Sequence, residues 1–286
     1  YVMNVGASGT AGPGITITEC YEGLEAATLS ILSGNISILS EDDCLNAANS
    51  DLTDYSFSMT ISGGTITAYS STGDGFDSNG DLTITGGTVA VWTANTADNQ
   101  PLDADGTLSV TGGTVLAAGG SAGMGVQISA SQPYVIFGST GAMGGGPGGM
   151  NGRLGGMGST SAAQSSASLS KGSAFTIKDS SGSTIYSGTA TCSASYVFFS
   201  SSKLTSGSSY SLYSGSTSAT TETAKTGTSS SGMMGGQRPG SQQNGNNTPS
   251  TLPGDTNGQL PTPPDGANGS VPSGDTNGSA SQPAQS

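Results

Sequence analysis

Apolar and polar residues alternate through the first half of the chain in a pattern that recurs. Thr60-Ile-Ser-Gly-Gly-Thr-Ile66, Thr83-Ile-Thr-Gly-Gly-Thr-Val89 and Ser109-Val-Thr-Gly-Gly-Thr-Val115 are copies of one motif, and Ser30-Ile-Leu-Ser-Gly-Asn-Ile36 is a degenerate fourth. Each copy alternates large apolar residues with Ser or Thr on both sides of a glycine corner, the period-two signature of strands with one buried face. The corners fall at Gly34, Gly64, Gly87 and Gly113, in steps of 30, 23 and 26 residues. That spacing fits one rung of a parallel β-helix with loops of variable length better than a solenoid of fixed repeat.

Aligning the copies gives apolar columns: Leu29, Met59, Leu82 and Leu108; Ile31, Ile61, Ile84 and Val110; Ile36, Ile66, Val89 and Val115; Ile38, Ala68, Val91 and Ala117. Leu24, Leu45, Phe76, Leu102 and Met124 supply a last column and a third short strand per rung. The predicted fold is therefore all-β, a right-handed parallel β-helix over residues 1–137. Ile15 and Ile17 precede Leu24 as Ile36 and Ile38 precede Leu45, so the chain is expected to enter partway through a rung, truncated at its N-terminus.

Composition supports a thin core. Leu, Ile, Val and Phe make up 44 of 286 residues, too few for a thick globular interior but enough for rungs that bury their apolar positions against each other. Beyond the helix, residues 138–168 read as a flexible Gly, Met and Ser-rich loop. Residues 169–215 recover strand character in Ala174-Phe-Thr-Ile-Lys178, Thr184-Ile-Tyr186, Tyr196-Val-Phe-Phe199 and Tyr210-Ser-Leu-Tyr213, expected as an antiparallel cap over the open end. Residues 216–286 read as a disordered low-complexity tail.

Charge is segregated along the chain. Fourteen acidic residues precede Gly152 without one Lys, Arg or His, and all six basic residues lie at Arg153 or beyond. A pure polyanion repels nucleic acid and anionic membranes, and no run is long enough for membrane insertion. Cys20, Cys44 and Cys192 have no zinc-type spacing. The acids align instead. Glu22-Gly-Leu-Glu25, Asp43-Cys-Leu-Asn46, Asp74-Gly-Phe-Asp77 and Gln100-Pro-Leu-Asp103 stack around the last apolar column, with Asp42 and Asp105 beside them. Carboxylates on parallel strands about 4.8 Å apart repel by roughly 3 kcal/mol at an effective dielectric near 20. Oxygens converging without cationic side chains suit a hard cation, calcium before magnesium, because calcium accepts six to eight irregular oxygen ligands. The expected metal ligands are Glu22, Glu25, Asp42, Asp43, Asn46, Asp74, Asp77, Asp103 and Asp105. Tyr69 and Trp92 share an outward column and are expected either to form an aromatic step for sugar rings or to cap a corner against a loop.

The ordered set Tyr21-Glu-Gly-Leu-Glu25, Asp42-Asp-Cys-Leu-Asn-Ala-Ala48, Gly73-Asp-Gly-Phe-Asp-Ser-Asn-Gly80 and Leu102-Asp-Ala-Asp105 resembles a bacterial carbohydrate-binding family. The match extends through Gly123-Met-Gly-Val-Gln127, Ser195-Tyr-Val-Phe-Phe-Ser-Ser-Ser202 and Tyr210-Ser-Leu-Tyr213. The resemblance implies a secreted or cell-surface β-helix that coordinates calcium and binds cellulose and acidic pectic glycans such as polygalacturonate. It places calcium ligands on Glu22, Glu25, Asp43, Asn46, Asp74, Asp77 and Asp103. Cys44 stands where the family has Gly, and Gln100-Pro101 replaces a small flexible pair.

The expected function is thus non-catalytic, calcium-dependent polysaccharide binding by a monomer, with a surface adhesin as the main rival. A pectate lyase needs a Lys or Arg base near the metal, and residues 1–152 contain neither. Lys171, Lys178 and Lys203 would have to reach over from the cap.

Overall fold

The computed structural model describes residues 1–52, 54–94, 99–119, 127–138 and 167–229; among them there is no helix, and strands carry the fold. The first rung consists of β1 (Val2–Val5), β2 (Gly14–Ile17) and β3 (Leu24–Glu25). The second is β4 (Thr28–Ile31), β5 (Asn35–Ser40) and β6 (Leu45–Ala47). The third is β7 (Ser58–Ile61), β8 (Thr65–Ser70) and β9 (Phe76–Ser78). β10 (Asp81–Ile84) and β11 (Thr88–Thr93) form the fourth, which Leu102 closes by a parallel bridge to Phe76. β12 (Leu108–Val110) and β13 (Thr114–Gly119) follow, and β14 (Ile128–Gly138) begins a further rung.

Like strands of successive rungs pair in parallel, making the three faces of a β-helix: β1-β4-β7-β10-β12-β14, β2-β5-β8-β11-β13 and β3-β6-β9. The apolar columns are in strict register. Met3, Leu29, Met59, Leu82, Leu108 and Ile128 lie in line on the first face. Ile15, Ile36, Ile66, Val89 and Val115 do so on the second. The chain does not enter partway through a rung: Met3 and Val5 extend the first-face columns through β1. No Gly-Gly marks that corner. A longer loop turns it instead, tied by the Ser33 hydroxyl, which accepts from Ala7 N at 3.0 Å and donates to Ala7 O at 2.9 Å.

Both glycines of the repeated corner are required, for different reasons. The second sits at φ between 84° and 86° in Gly64, Gly87 and Gly113, a left-handed conformation costly for residues with a Cβ. The first has an ordinary φ, but a Cβ on Gly86 would overlap the carbonyl oxygen of Ser62 in the rung below. Gly86→Ala is therefore expected to cost about 1–3 kcal/mol, the range for overpacking, measured by denaturant unfolding. An unchanged midpoint would mean that the corner yields.

The C-terminal part goes beyond an end cap. β15 (Ala174–Asp179), β16 (Thr184–Thr189), β18 (Ser209–Ser214) and β19 (Thr217–Thr223) form an antiparallel sheet in the order β16-β15-β18-β19. β17 (Tyr196–Ser201) leaves it to insert antiparallel between β13 and β14, joining the first two faces of the helix into one sheet. β20 (Lys225–Thr228) pairs with β14. The expectation of a disordered tail from residue 216 is corrected: β19 and β20 are strands, built on β-branched Thr rather than large hydrophobes. The remaining expectations for 138–168 and for the tail beyond 229 lie outside the described residues, apart from Gly138 and Ala167-Ser168, as does Met124.

Two cores result. One fills the helix. The other joins Trp92, Leu116 and Ala118, which point outward from the second face, to Phe175, Ile177 and Leu212 of the antiparallel sheet.

Candidate metal centre

The acidic corner is built by strand alternation. Leu24, Leu45, Phe76 and Leu102 point into the helix, so the residues after them, Glu25, Asn46, Asp77 and Asp103, point out. Glu25 pairs with Asn46 and Asn46 with Asp77, and Asp103 N donates to Phe76 O at 2.8 Å. The other ladder stands two residues before each apolar anchor. Asp74 N donates to Asp43 Oδ1 at 2.7 Å, and Gln100 N donates to Asp74 Oδ1. Gly23 and Gly75 let the chain pass beneath: a Cβ on either would overlap atoms of the next rung, including the Cys44 and Pro101 carbonyl oxygens. Cys44 itself is accommodated, fully buried with Sγ 3.0 Å from Ser40 Oγ.

The ladders interlock diagonally. Asn46 Nδ2 donates to Glu22 Oε2 at 2.9 Å, one rung back on the other ladder. The same diagonal in the next rungs pairs carboxylates: Asp77 is the largest source of repulsion for Asp43, and Asp103 for Asp74. Burial is the larger effect on all of them. Together with the neighbouring carboxylates it pushes Asp43 and Asp74 up to about 7 and Asp77 up to about 6. Asp103 is also raised, by burial first and Asp105 after. Backbone N–H donors oppose the rise at Asp43, Asp74, Asp77 and Asp103 and favour the charged forms.

One group among the described residues closes to within a single ion's reach. Asp74, Asp77 and Asp103 offer carboxylate oxygens within 4.8 Å of one another. The other expected ligands are arranged around it. Asp43 feels the charge of Asp77 across one rung; Glu22 accepts from Asn46 Nδ2; the Asp42 carboxylate raises the pKa of the Tyr21 hydroxyl. Glu25 and Asp105 are exposed at the two ends. Buried oxygens without partners support the fit of a cation. Asn46 Oδ1 and Gln100 Oε1 accept no hydrogen bond, although the residues are only 7% and 4% exposed. An unsatisfied buried acceptor costs about 1–3 kcal/mol, and a cation coordinated in the column is one way to give such an oxygen a partner. Gln100 stands in the first ladder beside the expected ligands, and its buried amide oxygen adds an acceptor that the run of acids alone does not point to.

The aromatic step is corrected in part. Tyr69 and Trp92 are adjacent in register, with Leu39 before them. Trp92 is 2% exposed, its ring edge-on to Phe175 at 5.8 Å. It points outward as expected, but the antiparallel sheet covers it, and no sugar can stack there. Tyr69 is half-buried at the margin of that sheet. Of the capping lysines, Lys178 is engaged within its own sheet, its Nζ 4.9 Å from the centre of the Tyr213 ring.

No protein-family model, curated protein or solved structure matches this chain.

Proposed function

We propose that this is a non-catalytic, calcium-dependent polysaccharide-binding β-helix, secreted or held at the cell surface. The observation that carries the reading is the diagonal column of half-buried carboxylates, Asp43 with Asp77 and Asp74 with Asp103, in a region without a cationic side chain. Asp74, Asp77 and Asp103 would hold one ion, with Asp43 and Asn46 extending the column below. A bound divalent cation supplies positive charge at the corner. Coordination left open toward solvent then recognises carboxylates of an acidic glycan such as polygalacturonate, which the bare protein would repel. With no Lys, Arg or His before Arg153, the helix itself offers no cationic base for β-elimination, which supports binding rather than cleavage.

Co-sedimentation with polygalacturonate tests this. Retention in calcium and release by EDTA are expected. Retention indifferent to EDTA, or none in calcium, would overturn the bridging role. A structural ion is the second reading, favoured by the backbone N–H donors wrapped around the carboxylates. It would give calcium-dependent melting without glycan retention.

A further inference from the structure

A second concavity lies on the outside of the first three rungs, apart from the Asp74, Asp77 and Asp103 group. Its volume is about 550 Å³, within the range of small-ligand sites. The floor is the outward column of the second face. Trp92 is buried under the antiparallel sheet, Tyr69 is half-covered, and Leu39 emerges 45% exposed. The opposite wall is the turn after β2, where Tyr21 is 65% exposed. That wall is fixed by Glu41 N donating to Cys20 O at 2.9 Å and Asp42 N donating to Tyr21 O at 2.8 Å. Glu19 and Glu41 stand exposed at the rim, and Thr18, Ser71 and Thr72 add hydroxyls.

We propose that this groove binds a glycan of protonated amino sugars, the glucosamine class. The proposal shares with the function above only the expectation of a glycan ligand and does not use the acidic column. Leu39 and the tyrosine rings suit the apolar C–H face of a pyranose. The hydroxyls suit its ring substituents. Glu19 and Glu41, with no basic residue before Arg153, select the charge: they repel a uronate and accept only hydroxyl hydrogen bonds from a neutral sugar, but form a full ion pair with an ammonium group that the tyrosine faces also attract. A lysine side chain carries the same charge but lacks the flat apolar face and the hydroxyls that the floor and rim would meet.

Calorimetric titration of the full chain with glucosamine tetramer, at mildly acidic pH where the amine is charged, tests this. Binding is expected with and without EDTA. The Glu19→Gln/Glu41→Gln double variant should weaken it about tenfold or more, as for charge-assisted hydrogen bonds, and so should Tyr21→Ala. These side chains are exposed, so unchanged melting serves as the folding control. The fully N-acetylated tetramer should bind at least about tenfold more weakly, since acetylation removes the charge. Equal binding of the acetylated tetramer, tighter binding of a lysine tetrapeptide, an unaffected double variant, or no binding would each overturn the proposal. Failure here with calcium-dependent polygalacturonate retention intact would leave the proposed function standing, and the reverse result would separate them the other way.

Discussion

Calcium added in excess to the EDTA-treated protein at about pH 8 raises the melting temperature by about 5–10 °C. At a hundredfold over its dissociation constant a ligand stabilises by about 2.7 kcal/mol, and each kcal/mol is worth about 2–4 °C in a domain of this size. The stability of the metal-free protein and the size of the calcium shift depend on pH with opposite signs. In the metal-free protein the folded-state pKa values of Asp43, Asp74 and Asp77 lie above the ordinary 3.8, at about 7, 7 and 6. The folded chain therefore holds more protons than the unfolded chain between those limits. Its stability is greatest below about pH 4 as far as these groups are concerned, and falls as the pH rises through about 7. Calcium displaces those protons, so its stabilising effect is full above about pH 7 and disappears below about pH 5. Differential scanning fluorimetry across this range, with calcium and with EDTA, reads both slopes. A calcium shift that persists unchanged at pH 4 would mean that the ion binds elsewhere.

Asp77→Asn separates repulsion from coordination. Asp77 faces Asp43 on one diagonal and borders Asp103 on the same ladder. Removing its charge should make the EDTA-treated protein more stable at about pH 8 by a degree or more, while reducing the calcium shift to less than half. A solvated acidic corner without an ion would show the first effect and no calcium shift in either protein.

Much of the helix could be read from the chain because each rung repeats the same physical problem. Leu29, Met59, Leu82 and Leu108 answer it alike, so alignment of the glycine corners reproduces the register, and the same alignment puts Glu25, Asn46, Asp77 and Asp103 in line. What could not be read is what happens where the repeat stops. β1 has no Gly-Gly corner, and β19 and β20 lack the apolar alternation of the other strands. The insertion of β17 did leave a trace: Tyr196-Val-Phe-Phe199 is a continuous apolar run, as expected of a strand buried on both faces. Alternation distinguishes the two sides of a strand. It does not tell whether the outer side meets water or a second layer from residues a hundred positions away, and Trp92 is where that distinction matters.

Trp92→Ala is accordingly expected to cost about 3–5 kcal/mol, the range for deleting a large buried aromatic. The ring is 2% exposed and packs against Phe175, between the helix and the antiparallel sheet. Much of the loss should be local. Hydrogen exchange should speed up in β15 and β18, whose Phe175, Ile177 and Leu212 share that core, before it does in β4 or β7. Below its lowered melting temperature the variant should still retain polygalacturonate in calcium, because the column's carboxylates stand on and beside the third face, whereas Trp92 projects from the second. A ring serving as a sugar platform predicts the opposite pairing, near-normal unfolding and lost retention. Denaturant unfolding and co-sedimentation on one variant therefore decide whether this tryptophan holds the sheet to the helix or holds the glycan.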